Sequence, residues 1–150
     1  MATGDTEGVV PFTIDFFDEG GNAGVQVTAV TSGASVTFDK TTPTLVSASR
    51  TDNTHVEVTL SELGLTASIT KANAGGFTVS DTVTPATTYA VSAIAPGSDN
   101  TKVVLTVATI AGSQVTGVTV KYAAGGNGTV SDQTGNLLAT NATGVAVAPW

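Results

Sequence analysis

Apolar and polar residues alternate along most of this chain, and the alternation is cut repeatedly by clusters of Gly, Pro, Asn and Asp. The first such run is residues 12–17, opened by Pro11, in which Phe12, Ile14 and Phe16 alternate with Thr13 and Asp15. A period of two predicts a strand with one apolar face. Asp18-Glu19-Gly20-Gly21-Asn22 reads as the turn after it. Residues 25–30 and 34–38 read as two further short strands separated by Thr31-Ser32-Gly33. Asp39-Lys40-Thr41-Thr42-Pro43 then marks a boundary near residue 40, because proline holds the residue before it in an extended conformation.

Beyond that join the same pattern continues more regularly. Residues 44–50 and 55–61 flank a turn at Thr51-Asp52-Asn53, and Val56, Val58 and Leu60 share a face opposite His55, Glu57 and Thr59. This predicts a half-buried antiparallel hairpin. Residues 63–74 lack clean alternation and are expected to hold a helical turn. Strands are predicted at 77–83, 89–94, 102–108, 115–122 and 144–148, with Val103, Leu105 and Val107 on one face and Val118, Val120 and Tyr122 on another. Ala95-Pro96-Gly97-Ser98-Asp99-Asn100, Gly125-Gly126-Asn127-Gly128 and Asp132-Gln133-Thr134-Gly135-Asn136 separate them as turns or loops. About seven short strands with turn signals every 8–12 residues predict an all-β chain whose residues 40–150 form an immunoglobulin-like β-sandwich. Residues 1–39 form an N-terminal β-rich arm.

Composition agrees with that class. Thr, Val, Ala, Gly and Ser fill 97 of the 150 positions, and charged residues make up only 11%. The mixture is rich in β-branched residues and poor in the helix formers Leu, Glu, Lys and Arg. There is no Cys, which excludes disulfides, thiolate metal sites and thiol catalysis. No run is long and apolar enough for a membrane helix, and the opening residues lack the basic and apolar regions of a secretory signal, so synthesis and assembly in a cytoplasm are expected.

Charge divides the chain in two. Asp5, Glu7, Asp15, Asp18, Glu19 and Asp39 give residues 1–39 a charge of −6 with no Lys or Arg, while residues 40–150 carry −1. A net charge of −7 disfavours nucleic acid and anionic membranes as partners. An acidic first segment can be simply solvated and aid solubility. Three of the five Phe residues fall within positions 12–17, however, and such a cluster is expected to be covered either by the chain itself or by a neighbour.

The order of motifs after residue 40 resembles a bacterial Ig-like domain of the kind found in S-layer, swimming-motility and large adhesin proteins. The resemblance covers roughly residues 40–148. It rests on Thr41-Thr42-Pro43-Thr44-Leu45-Val46-Ser47-Ala48, Val58-Thr59-Leu60-Ser61-Glu62, Phe77-Thr78-Val79, Val103-Val104-Leu105-Thr106-Val107, Val118-Thr119-Val120-Lys121-Tyr122 and Asp132-Gln133-Thr134-Gly135-Asn136. Family members usually occur as tandem repeats on long secreted chains, whereas here one copy follows an acidic arm. That combination resembles phage decoration, or cement, proteins, which assemble on capsids inside the host.

Catalytic chemistry is sparse. His55 is the only His, lies on the polar face of its strand beside Glu57, and has no recognisable nucleophile motif around it. The glycines at 125–128 lack the Lys and the strand-to-helix setting of a phosphate loop. Oxygen-rich groups at Asp15, Asp18, Glu19 and Asn22, and at Asp132 and Asn136, lack the spacing of a known calcium loop. Asp132 instead fits a turn in which it accepts backbone N–H bonds. The expectation is a protein without enzymatic activity, cofactor or metal.

The function expected from these features is that of a structural protein of a virus particle, a phage capsid decoration protein assembled in the host cytoplasm. Its sandwich would face outward, and its arm would contact the major capsid protein, another virion subunit or a sister copy in a homo-oligomer. Phe12, Ile14, Phe16 and Phe17 would supply apolar contact, Asp15, Asp18 and Glu19 would face a basic rim, and Trp150 would anchor in a neighbour. Alternatives are a tail or fibre component, a bacterial surface or S-layer adhesion module, and a filament subunit joined by strand exchange.

Overall fold

The computed structural model describes residues 4–62, 74–82, 87–111, 116–125 and 130–150. The backbone divides into two units, Met1–Lys40 and Thr41–Trp150.

The second unit is an all-β, immunoglobulin-like sandwich. Its strands are β3 (Leu45–Arg50), β4 (His55–Leu60), β5 (Phe77–Asp81), β6 (Thr87–Tyr89), β7 (Val91–Pro96), β8 (Lys102–Val107), β9 (Val118–Tyr122) and β10 (Asn141–Ala148). They hydrogen-bond in the order β6-β5-β9-β10-β3-β4-β8-β7, with β10 and β3 parallel and every other pair antiparallel. One layer is β3-β4-β8-β7 and the other β6-β5-β9-β10, the division expected of an Ig-type sandwich. The parallel contact Val147–Ala48 joins the two layers along one side.

The alternation read from the sequence is what fills the interior. Val56, Val58 and Leu60 on β4 are buried, as are Val103, Leu105 and Val107 on β8, and the register sets Val56 opposite Leu105 and Val58 opposite Val103. From the other layer Phe77 and Val79 on β5 pair with Tyr122 and Val120 on β9. The Phe77 and Tyr122 rings stack at a tilt with centroids 4.9 Å apart. Tyr122 is buried, and its hydroxyl accepts the N–H of Val130 at 3.3 Å, so the polar end of this core residue is not left unsatisfied.

The structure departs from the predicted strands in identifiable ways. The single strand expected at 89–94 is two: β6 pairs with β5 in one layer, the chain crosses at Ala90, and β7 pairs with β8 in the other. An uninterrupted apolar pattern conceals this, because residues on both sides of the crossing face the same core. The last strand begins at Asn141 rather than 144; after a register shift between Asn141 and Val145 it pairs with β9 again through Val145 and Ala146 and then meets β3 through Val147 and Ala148. The helical turn expected within 63–74 lies outside the described residues except for its end, where Ala74–Gly76 form a 3-10 turn. The strand ends expected at 83 and 115 and most of the loop at 125–128 also lie outside them.

The first unit is an irregular antiparallel hairpin. Its regular ladder is only β1 (Gly8–Val9) against β2 (Thr37–Phe38), extended by the Val10 N–H to the Val36 carbonyl at 2.8 Å. Isolated bridges at Ile14–Val27 and Phe17–Ala23 continue the pairing toward the tip. The strand expected at 12–17 and those at 25–30 and 34–38 are therefore replaced by single bridges and one two-residue strand. Between the Val10–Val36 bond and the Ile14–Val27 bridge, residues 11–13 on one limb face residues 28–35 on the other, and unequal limbs cannot keep a continuous ladder.

Candidate docking surface

The hairpin is closed by Asp18. Its Oδ1 accepts the Asn22 N–H at 2.8 Å and its Oδ2 accepts the Asn22 side-chain amide at 2.9 Å, while its own N–H donates to the Asn22 carbonyl at 3.0 Å. The hydrogen bonds from Asn22, side chain first, hold the Asp18 carboxyl below its ordinary value. Behind the tip, Ile14 and Val27 exchange both backbone hydrogen bonds, at 2.9 and 3.0 Å. Gln26 donates its amide to Asp15 Oδ1 at 2.8 Å. The Phe16 ring lies over Gly24 on the opposite limb, in the space a side chain there would occupy. The base is tied by Lys40, whose N–H donates to Glu7 and whose ammonium donates to the Asp5 carbonyl.

No described residue of this first unit is buried. Eight of the eleven exposed large apolar side chains among the described residues lie between Val9 and Val36, Phe17 being 68% exposed. The core, by contrast, is drawn wholly from Leu45 to Val147. Where the limbs are unequal, an open depression of about 590 Å³ is lined by Val9, Phe12, Thr28, Val30, Ser35 and Val36 among others. A second, of about 520 Å³, shares Val9, Val10 and Pro11 with it and includes Asp5, Glu7 and Phe38.

Each residue expected to bind a partner can thus be placed. Phe12, Ile14, Phe16 and Phe17 are at the surface of the hairpin, with Phe12 at the margin of the first depression and Phe17 next to the tip. Asp15, Asp18 and Glu19 are exposed on the same hairpin, although Asp15 and Asp18 also brace it from within. Trp150 belongs to the sandwich unit, follows β10 and is 56% exposed.

His55 is less solitary than its strand position predicts. Its Nδ1 lies 2.7 Å from Asp52 Oδ2 and 3.2 Å from Thr54 Oγ1. Asp52 also accepts the Thr54 N–H at 2.6 Å, and that bond, followed by the one from His55, lowers its pKa to about 2. Carboxylate and hydroxyl meet the same ring nitrogen, whereas a proton relay needs them on opposite nitrogens. The group braces the β3–β4 turn.

Among the described residues, two buried polar side chains complete the sandwich. Asp132 Oδ1 accepts the N–H groups of Thr134 and Asn136, both at 2.9 Å, and the Thr134 hydroxyl at 2.8 Å; its Oδ2 accepts the Asn136 amide. Burial pushes this carboxyl up, but the hydrogen bonds from Asn136 and Thr134 outweigh it and the net direction is down. Arg50, which the strand pattern did not single out, is buried at the end of β3 and donates to Asn53 Oδ1 at 2.8 Å and the Ile110 carbonyl at 3.0 Å. An Arg closing an otherwise regular β run just before a turn was the available signal.

The chain matches no protein-family model and no curated protein sequence. Among solved structures it is similar to the S-layer protein SbsC, with a TM-score of 0.54 and 19% identity over 72% of this chain. Domains 1–6 of the same surface-layer protein give a TM-score of 0.53 at 19% identity over 71% of this chain. The N-terminal part of that bacterial S-layer protein gives 0.54 at 19% identity over 71%. The matches span only 14%, 13% and 23% of those longer chains. At this identity the likeness is one of fold.

Proposed function

We propose that this protein is a non-enzymatic structural module of a bacterial surface assembly, with the sandwich as its body and the hairpin as its means of attachment. One observation carries the reading. A hairpin with no buried residue of its own displays most of the exposed large apolar side chains described, while the sandwich encloses a full core. Soluble chains seldom leave such a patch uncovered, and a partner surface is the natural cover. Fold likeness to S-layer protein SbsC supports a surface layer as the assembly. A second reading, decoration of a phage capsid, draws on the acidic arm ahead of the sandwich, the combination that resembles decoration proteins.

Quantitative mass spectrometry of cell envelopes and of virus particles from the source tests both. Enrichment in the envelope at a fixed ratio to an abundant surface protein supports the first reading. A copy number near a simple fraction of the major capsid protein supports the second, a few copies per particle indicate a tail or fibre position, and absence from both fractions contradicts the proposal.

A further inference from the structure

We infer that the surface receiving the hairpin belongs to a different chain and presents Lys or Arg around an apolar projection, rather than belonging to a second copy of this protein. The inference rests on the proposed structural role and specifies the chemistry of its partner. The depression bordered by Phe12, Val30 and Val36 is apolar, and an aliphatic or aromatic side chain can enter it. The neighbouring depression, lined in part by Asp5 and Glu7, shares its wall, so an occupant of the first has acidic residues at its flank. With six acidic residues and no basic one in residues 1–39, the complementary surface is positive.

This chain does not offer that surface among its described residues. Lys40 is bonded within the hairpin to Glu7 and Asp5. Arg50 is buried against Asn53 and Ile110. Lys102 Nζ lies 3.1 Å from Glu57 and 3.7 Å from Asp99, and the Glu57 contact holds its pKa up. Lys121 on β9 is then the one described basic side chain of the sandwich not engaged in this way, and one charge cannot match the net −5 of residues 1–40. Two hairpins brought together would instead repel each other at low salt.

The test uses the intact chain added back to native assemblies, envelopes or particles, prepared from a strain that lacks it. Rebinding is measured from about 50 to about 500 mM NaCl, a range over which screening of exposed charges changes from weak to strong. The wild type is compared with the double variant Asp15→Asn, Glu19→Gln; the amide introduced in place of the Asp15 carboxylate keeps an oxygen for Gln26, and Glu19 lies in the exposed tip turn. A basic partner predicts that affinity falls about tenfold or more across the salt range, and about tenfold for the double variant at the lowest salt. Sedimentation equilibrium of the chain alone at that salt should then give a monomer. Rebinding insensitive to both salt and charge removal, or a dimer at low salt that the arm mediates, overturns the inference and leaves the structural role standing. Failure to rebind at any salt overturns both.

Discussion

Asp52 and Asp132 close two turns of the sandwich by the same device, a carboxylate that accepts the backbone N–H and hydroxyl of the residue two positions on. They differ in depth, and their expected effects differ with it. Asp132 is 5% exposed, and Asp132→Ala removes the acceptor of four part-buried hydrogen bonds from Thr134 and Asn136, so it should lower unfolding stability by about 1–2 kcal/mol in a denaturant titration. Asp52 is at the surface, and its contribution is best read through pH. Its folded pKa of about 2 lies below the ordinary 3.8, so its stabilisation is fully present above 3.8 and is lost as pH falls toward 2. The stability difference between wild type and Asp52→Asn should therefore shrink as pH falls from about 4 to 2. A difference that instead grew in acid would contradict the assignment.

At the level of elements, close approach of backbones sets the tolerances. Gly76 leads into β5 with φ +88°, and a Cβ there would collide with the Ala123 carbonyl beyond the end of β9. Gly76→Ala should destabilise the sandwich by about 2–3 kcal/mol, through backbone strain together with the displaced carbonyl, and lower its Tm accordingly. The strands that were legible in the sequence are those whose alternation reflects one buried face: β4, β8 and β9, each with every second residue in the core. The turn at Asp132–Asn136 was equally legible, because Asp, Gly and Asn at those positions carry the turn chemistry themselves. The break at Ala90 was not, since a strand that changes layers while facing one core leaves no mark in a pattern of apolar and polar positions. The hairpin shows the converse. Phe12, Ile14 and Phe16 alternate as a strand should, yet pairing there is reduced to isolated bridges, because limb length and register depend on partners distant in sequence.

On the scale of the whole molecule, the division of roles follows from where apolar surface is spent. Among the described residues, 41–150 enclose most of theirs, and 1–40 display it among acidic groups. Burying the Phe17 side chain against a partner is worth about 1–2 kcal/mol, so Phe17→Ser should weaken attachment to the native assembly about tenfold while leaving the thermal unfolding of the sandwich unchanged. The composition of the arm was readable from sequence, as was its boundary charge, because six acidic residues before the first Lys require no structure to see. That the aromatic side chains remain exposed required the fold, since alternation cannot distinguish a face covered by its own chain from one held open. The decisive experiment on attachment through the hairpin is deletion of residues 1–40, with association to native envelopes or particles measured by co-sedimentation beside the far-UV circular dichroism and Tm of the remaining sandwich. A folded sandwich that stays in the supernatant is expected; a truncated chain that still sediments with the assembly at the wild-type ratio would show that the hairpin is not the point of attachment.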